Sequence, residues 1–378
     1  MSSEVWVLGA TGRTGGAVAT RLHEAGVSLM LVGRDRERLE GVVAELGGAP
    51  RLVVGELGST LAELAHDAPA VVVNTVGPFT TTALEVARAC PAGTHYVDVA
   101  NEFSAVERIL GLDREAAAAD QVFVTGAGFG VLATESVLLR LCEGQPPATR
   151  VRVDALASVA IEAGVIGSAL AATIVEILTF GGREVRHGRL VRSRSAAHFV
   201  QLTTPDGEVL GTGSGASGEL MAAWRASDAG SVVAATTAAP SSALVRFVVP
   251  AVSAIVRLPG VGRFAAARIA RIPLRAHDRP RPSSWGHARV EWSSGRVREG
   301  WLRVGDGHDF TAAVAAEVTR RLLKGEGRPG SHTPGALFGS ELAEAVGGEF
   351  IPIINTNRIK IYSPRRRGPD QLPPNLVT

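Results

Sequence analysis

Val5-Trp6-Val7-Leu8-Gly9-Ala10-Thr11-Gly12-Arg13-Thr14-Gly15-Gly16 is the stretch whose reading decides the fold. A short apolar run ends at a glycine, glycines recur three apart, and a helical pattern (Val18, Leu22, Ala25) follows. This is a strand, a tight turn and a helix start. Gly9 allows the turn, Gly12 allows a pyrophosphate to approach the backbone, and Gly15 allows close packing of helix on sheet. Gly9, Thr11, Gly12, Arg13, Thr14 and Gly15 are therefore the residues expected at the phosphates of a dinucleotide. The spacing is G-x-x-G-x-x-G rather than G-x-G-x-x-G, a variant that suits the phosphorylated cofactor.

Working outward, apolar runs and amphipathic patterns alternate up to about residue 126. The expected strands are Val5–Leu8, Ser28–Val32, Arg51–Val54, Ala70–Thr75, His95–Val99 and Val122–Thr125. Helices are expected at Thr14–Glu24, Arg36–Leu46, Thr81–Ala89 and Ser104–Ala119. Short apolar strands separated by helices give a doubly wound parallel sheet of the Rossmann kind, with ligands at the carboxyl ends of the strands. The second strand ends in Gly33-Arg34-Asp35-Arg36, where a site for the unphosphorylated cofactor usually has a carboxylate. The Arg34 guanidinium suits a 2′-phosphate, so the cofactor expected is NADP(H). Asp35 is a competing candidate for a ribose hydroxyl, while Arg36 and Arg38 read as the solvated start of a helix. Glu56, after the third strand, is assigned to the adenine edge. Asn74, Val76, Gly77 and Pro78, after the fourth, form a rigid turn beside the nicotinamide, with Phe79 on the substrate side.

The whole chain has 378 residues, enough for two domains. At 46% hydrophobic and 20% charged residues it is globular, and a net charge of +2 gives no argument for nucleic acid. Cys90 and Cys142 lack metal-ligand spacing, so no zinc site and no disulfide framework is expected. No apolar stretch reaches the roughly 20 residues of a membrane span, which makes cytoplasmic the default location. Beyond Thr125 the periodicity changes. Arg150–Ala157 alternates as a strand, Ile166–Phe180 reads as a helix, and hairpins are expected around Pro205-Asp206-Gly207 and Ser293-Ser294-Gly295. The second domain is thus α+β with an antiparallel sheet. The expected division is 1–130 for the NADP-binding domain, 131–340 for the substrate or cap domain, whose C-terminal helices are free to pack back on the first, and 341–378 for a C-terminal extension with a disordered end.

Several stretches resemble the saccharopine dehydrogenase-like oxidoreductase family, which includes trans-acting enoyl reductases of lipid and polyketide pathways. They are the glycine turn, Val76-Gly77-Pro78-Phe79, Thr94-His95-Tyr96-Val97-Asp98 with Glu102, and Gly126-Ala127-Gly128-Phe129-Gly130. A weaker match returns at Thr311-Ala312 and Thr333-Pro334-Gly335-Ala336-Leu337-Phe338-Gly339. The resemblance implies a nicotinamide-binding domain joined to a mixed second domain, and reduction of C=C or C=N bonds.

Hydride transfer needs alignment and then a proton. No Ser-Tyr-Lys pattern is present, since the only lysines are Lys324 and Lys360. The candidate proton donors are Tyr96, Glu102, Asp98, His95 and Glu135, with a structural pairing role standing beside the catalytic one for Asp98. Substrate contacts are assigned to Phe79, Phe129 and Phe247. Ala243–Ile272 is apolar, poor in acids and dotted with arginines. It is either helices packed on the domain or a cap over a lipophilic substrate or lipid surface. Three functions follow. The first is NADPH-dependent reduction of an activated C=C bond on a lipophilic, polyketide-like or carrier-bound substrate. The second is reduction of a C=N bond on a small amino-acid-derived substrate. The third is non-catalytic NADPH binding as a scaffold or lipid-associated protein. The partner is a small molecule, with no nucleic acid; a homodimer is left open.

Overall fold

The computed structural model describes residues 3–48, 50–161, 163–194, 196–238, 252, 255, 256, 258 and 260–355. Strands are numbered in chain order, and β8 (Gly164–Val165) and β14 (Pro273–Leu274) form a separate two-stranded pair. The first sheet contains β1 (Val5–Leu8), β2 (Leu29–Gly33), β3 (Arg51–Val54), β4 (Val71–Asn74), β5 (His95–Asp98), β6 (Val122–Val124) and β17 (Gly330–His332). Its seven strands run in the order β17-β6-β5-β4-β1-β2-β3, and every pairing is parallel. Every residue of β1 and β4 is buried, as a parallel sheet covered on both faces requires. Helices α1 (Arg13–Glu24), α2 (Arg36–Leu46), α3 (Leu57–Asp67), α4 (Phe79–Ala89), α5 (Phe103–Leu110) and α6 (Asp113–Ala118) make the crossovers. The strand order reverses between β1 and β4, which opens a crevice above their carboxyl ends.

The second sheet has nine strands, ordered β10 (Arg189–Ser193), β9 (Gly182–Arg186), β13 (Ser231–Thr236), β7 (Arg150–Leu156), β15 (Ser284–Glu291), β16 (Val297–Val304) and β18 (Glu349–Asn355). The hairpin β11 (Val200–Thr203) with β12 (Val209–Ser214) joins it through β13. Both expected hairpins are present, with Val200 opposite Thr212 and Glu291 opposite Val297. The sheet is not wholly antiparallel: β13 pairs with β7 in parallel. Helix α7 (Phe129–Cys142) packs on β15, β16 and β7 of the second sheet and is buried on nearly every side, so it carries no amphipathic signature.

Three expectations change. Ser104–Ala119 is two helices, α5 and α6, interrupted at Gly111-Leu112. Helix α3 fills a gap in which no helix was expected. The chain also does not divide cleanly at 130 and 340. β17 returns to the first sheet and β18 forms the edge of the second sheet; the Gly307–Leu323 helix packs on α1, an arrangement the division had left open. Among the described residues, no helix is long and apolar enough to cross a membrane.

Candidate functional site

The turn after β1 is built as its glycines require. Gly9 has φ +82°, and a Cβ there would meet Thr75 Oγ1 at 2.8 Å. At Gly15 a Cβ would lie 2.2 Å from the Gly9 carbonyl oxygen, so only glycine lets α1 sit this close to the strand. A Cβ on Gly12 would meet only that same oxygen, at 3.2 Å, with open space otherwise. Gly12 is also the N-cap of α1, with no side-chain cap and no acid in the first turn. An uncapped N-terminus at the switch point, with space before it, fits a pyrophosphate. Thr75 Oγ1 donates to the Leu8 carbonyl at 2.7 Å and thereby holds the loops after β1 and β4 together.

At the end of β2, Asp35 is the N-cap of α2, accepting from the Arg38 backbone N–H at 3.2 Å. Arg34 is exposed at the strand end. Arg38 is not simply solvated, because its Nη2 donates to the Thr11 carbonyl at 2.9 Å across the glycine turn. Glu56 is exposed at the N-terminus of α3. After β4, Asn74 is fully buried. It accepts from Val76 N–H at 3.0 Å and donates to the Tyr96 hydroxyl at 3.2 Å. The Gly77–Pro78 peptide is cis. Phe79 begins α4 and is half-buried.

The proton-donor candidates fare differently. Tyr96 is fully buried in the sheet, bonded to Asn74 and stacked edge-on against Phe123. Burial and neighbouring Asp98 push its hydroxyl well above the usual range, and the side chain is not exposed and does not line the cleft described below. Asp98, also fully buried, accepts from Ala100 N–H, Gly126 N–H and Thr125 Oγ1 at 2.9–3.0 Å. It clasps the ends of β5 and β6; burial raises its carboxyl to about 6 in spite of these bonds. His95 sits at the opposite end of the sheet, where Nδ1 accepts from Val122 N–H. Glu135 is 1% exposed and accepts from Thr333 Oγ1, Gly335 N–H and Ala336 N–H. It anchors the Thr333–Gly339 stretch to α7, with burial raising it to about 7. Glu102 starts α5, accepts from Asn101 N–H at 3.2 Å and forms a β-bridge with Ser217 of the second domain.

Beyond these loops, the carboxyl ends of β5 and β6 face the Gly307–Leu323 helix across a cleft of about 200 Å³. Val99, Ala100, Asn101, Phe129, Val131 and Val159 line it together with Gly126, Gly128, Gly130, Ala157, Gly307, Thr311 and His308. His308 is the one ionisable side chain in that lining. Its Nε2 lies 3.3 Å from Thr14 Oγ1 in the first turn of α1, so the cleft adjoins the phosphate turn. Phe129, assigned to the substrate, does line the cleft and packs edge-on against Phe310. Behind the wall, buried Glu219 accepts from Asn101 Nδ2 at 3.2 Å and fixes that amide at the rim. Sequence reading missed His308 and Glu219, because neither belongs to a motif and both come from the far half of the chain. Phe247 lies outside the described residues.

No protein-family model matches the chain, and a search of curated proteins finds none that matches. Among solved structures, apo saccharopine dehydrogenase (L-Glu forming) from Saccharomyces cerevisiae is similar in fold. The TM-score is 0.58 at 11% identity, over 93% of this chain and 100% of that one. A short-chain dehydrogenase from Sphingobium yanoikuyae in complex with NADPH has a TM-score of 0.28 at 18% identity, over 32% of this chain and 70% of that one. Serine dehydrogenase from Escherichia coli has a TM-score of 0.29 at 16% identity, over 32% and 80%. The chain has the fold of saccharopine dehydrogenase across both sheets; at this identity the likeness is one of fold alone.

Proposed function

We propose that the protein is an NAD(P)-dependent oxidoreductase, and specifically an NADPH-dependent reductase of an activated C=C bond on a lipophilic substrate. The observation that carries this is the cleft: apolar walls, backbone glycines, one rim amide and a single ionisable group, His308. The uncapped N-terminus of α1 supports pyrophosphate binding, and exposed Arg34 supports a 2′-phosphate. NADPH, when bound, supplies the hydride. The apolar walls hold the hydrocarbon part of the substrate and exclude water. In this reading His308 replaces Tyr96, Asp98 and Glu102 as proton donor, because it reaches the cleft while Tyr96 and Asp98 are sealed in the sheet.

An amino-acid-derived imine would need cations for its carboxylates. Arg279 and Arg281 line an open hollow of about 570 Å³, whose Ala160 follows Val159 of the cleft in the chain. The Arg281 guanidinium, however, bonds the Ala157 carbonyl and approaches Glu208 at 3.5 Å, and Arg279 bonds the Pro282 carbonyl. The apolar reading is therefore the stronger. The test is NADPH oxidation over a panel of enones, enoyl thioesters and cyclic imines of graded polarity. Turnover of long enoyl substrates is expected. Turnover confined to carboxylate-bearing imines would transfer the assignment to C=N reduction, and none with either, despite tight NADPH binding, to the non-catalytic scaffold.

A further inference from the structure

Exposed large apolar side chains are concentrated in one part of the molecule. Ile161, Val165, Ile255, Leu258, Phe264 and Ile272 are between 46% and 64% exposed. They belong to one connected unit. Val165 pairs with Pro273, and Ile161 forms a bridge with His277. Ile166 N–H donates to the Ile272 carbonyl at 3.1 Å, and a chain of turns links Ile255, Leu258 and Val261. The Val261–Ile269 helix lies against α8 (Gly167–Phe180), yet has no buried residue of its own. A helix that spends residues such as Phe264 on solvent is not serving the core of this chain.

The charged residues of the Val261–Ile269 helix and of the segment that follows it, up to His277, are all arginines. Arg263, Arg268, Arg271 and Arg275 are exposed, and the sequence contains no aspartate or glutamate between Asp228 and Asp278. A second copy packed face to face would set these arginines against themselves, because a twofold interface brings the same patch from both subunits together. A spanning helix is absent among the described residues. Apolar side chains interspersed with guanidinium groups, in a stretch with no aspartate or glutamate from Ala229 to His277, match the chemistry of an anionic bilayer surface. The hydrocarbon enters between headgroups while the arginines meet lipid phosphates.

We propose that this face docks the protein on anionic lipid membranes, with Phe264, Ile255 and Ile272 inserting and Arg263, Arg268, Arg271 and Arg275 supplying the attraction. The inference does not depend on the reaction proposed above. The test is co-sedimentation of the full chain with vesicles of phosphatidylcholine alone or with one third phosphatidylglycerol, at low and high salt. Binding to the anionic vesicles is expected to be stronger by roughly tenfold or more and to weaken with salt. Phe264→Glu with Ile255→Glu, and separately Arg268→Glu with Arg271→Glu, should each abolish it while the far-UV spectrum and melting temperature stay unchanged. If either variant unfolds, hydrogen exchange on the wild type decides, with protection of 255–272 expected on adding anionic vesicles. Absence of binding, equal binding to both vesicle types, or a self-association dissolved by Phe264→Glu would overturn the proposal.

Discussion

Thr14 and His308, 294 positions apart in the chain, meet with Thr14 Oγ1 3.3 Å from His308 Nε2. The contact joins the first turn of α1 to the first turn of the Gly307–Leu323 helix. Asp306 fixes the second of these turns by accepting from the His308 backbone N–H at 2.7 Å. If His308 delivers the proton, His308→Gln should lower kcat by about 100-fold or more, the ordinary range for loss of a general acid. NADPH affinity should hardly change. Stopped-flow turnover with parallel cofactor titration checks this; a matching loss in NADPH affinity would make His308 a structural link between the two helices.

The glycines of the first turn should separate by role. Gly15→Ala places a Cβ 2.2 Å from the Gly9 carbonyl oxygen and should destabilise the fold itself. Gly12→Val should leave the melting temperature nearly intact while abolishing binding of either dinucleotide, since its side chain would occupy the space before α1. Arg34→Ala should weaken NADPH by about 1.5–3 kcal/mol, as for loss of a charge-assisted hydrogen bond, and leave NADH little changed. Fluorescence titration with both cofactors reads the outcome. An equal effect on the two would remove Arg34 from the 2′-phosphate.

The glycine turn and the strands up to β6 were legible in the sequence because each is local: an apolar run ending in a glycine needs no distant partner. Arg34 and Asp35 share one strand end, and the capping bond that Asp35 accepts from Arg38 N–H is visible only in the fold. Tyr96 and Asp98 are donor candidates by residue type and place, and the cost of burying Asp98 unpaired puts a pairing role beside the catalytic one. Asn74 pairs the Tyr96 hydroxyl and the β6 loop pairs Oδ1 of Asp98, and nothing near residue 96 announces it. Strand β13 and the return of β17 to the first sheet depend on pairings more than 80 residues away. His308 reaches the cleft only through such long-range closure.

A buried charge array in the second sheet should govern stability against pH. His287, 1% exposed, is held between Asp154 and Glu299, each at 2.9 Å, and stacks on Trp301. Burial favours the neutral ring, but hydrogen bonds to the two carboxylates outweigh it and raise the imidazole above its usual range. Burial likewise opposes ionisation of Asp154, yet Arg152 and His287 hold it well below the usual carboxylate range. The raised histidine stabilises fully below its unfolded value of roughly 6.5, and that contribution is lost as pH rises through the folded value. Asp154 contributes above roughly 3.9 and loses this only in strong acid. His287→Gln should therefore cost about 3–5 kcal/mol near pH 6, as for breaking a buried pair, with the gap to wild type narrowing in alkali. Melting temperatures across pH for both proteins check the sign; a gap that widens in alkali would mean the ring is neutral in the folded state.

Substrate length should be read by the walls of the cleft. Phe129, Val131 and Val159 come from the start of α7 and from the segment after β7, so both domains contribute to them. If hydrocarbon lies between these side chains, each further methylene buried should tighten binding by about 0.8 kcal/mol until the cleft is filled. Val159 is half-buried, so a polar replacement there leaves the core of either sheet undisturbed. Val159→Asp should raise KM for long apolar substrates and leave NADPH affinity intact, because the phosphate turn is formed elsewhere. Phe129→Ala should do the same but with some loss of stability, since its ring also packs on Phe310 at a centroid distance of 6.3 Å. Steady-state kinetics over a homologous series of enoyl thioesters, run beside thermal melts, separates these effects. Values of kcat/KM that fall as the chain lengthens in the wild type would show that hydrocarbon does not enter this cleft, and would favour a small polar imine instead.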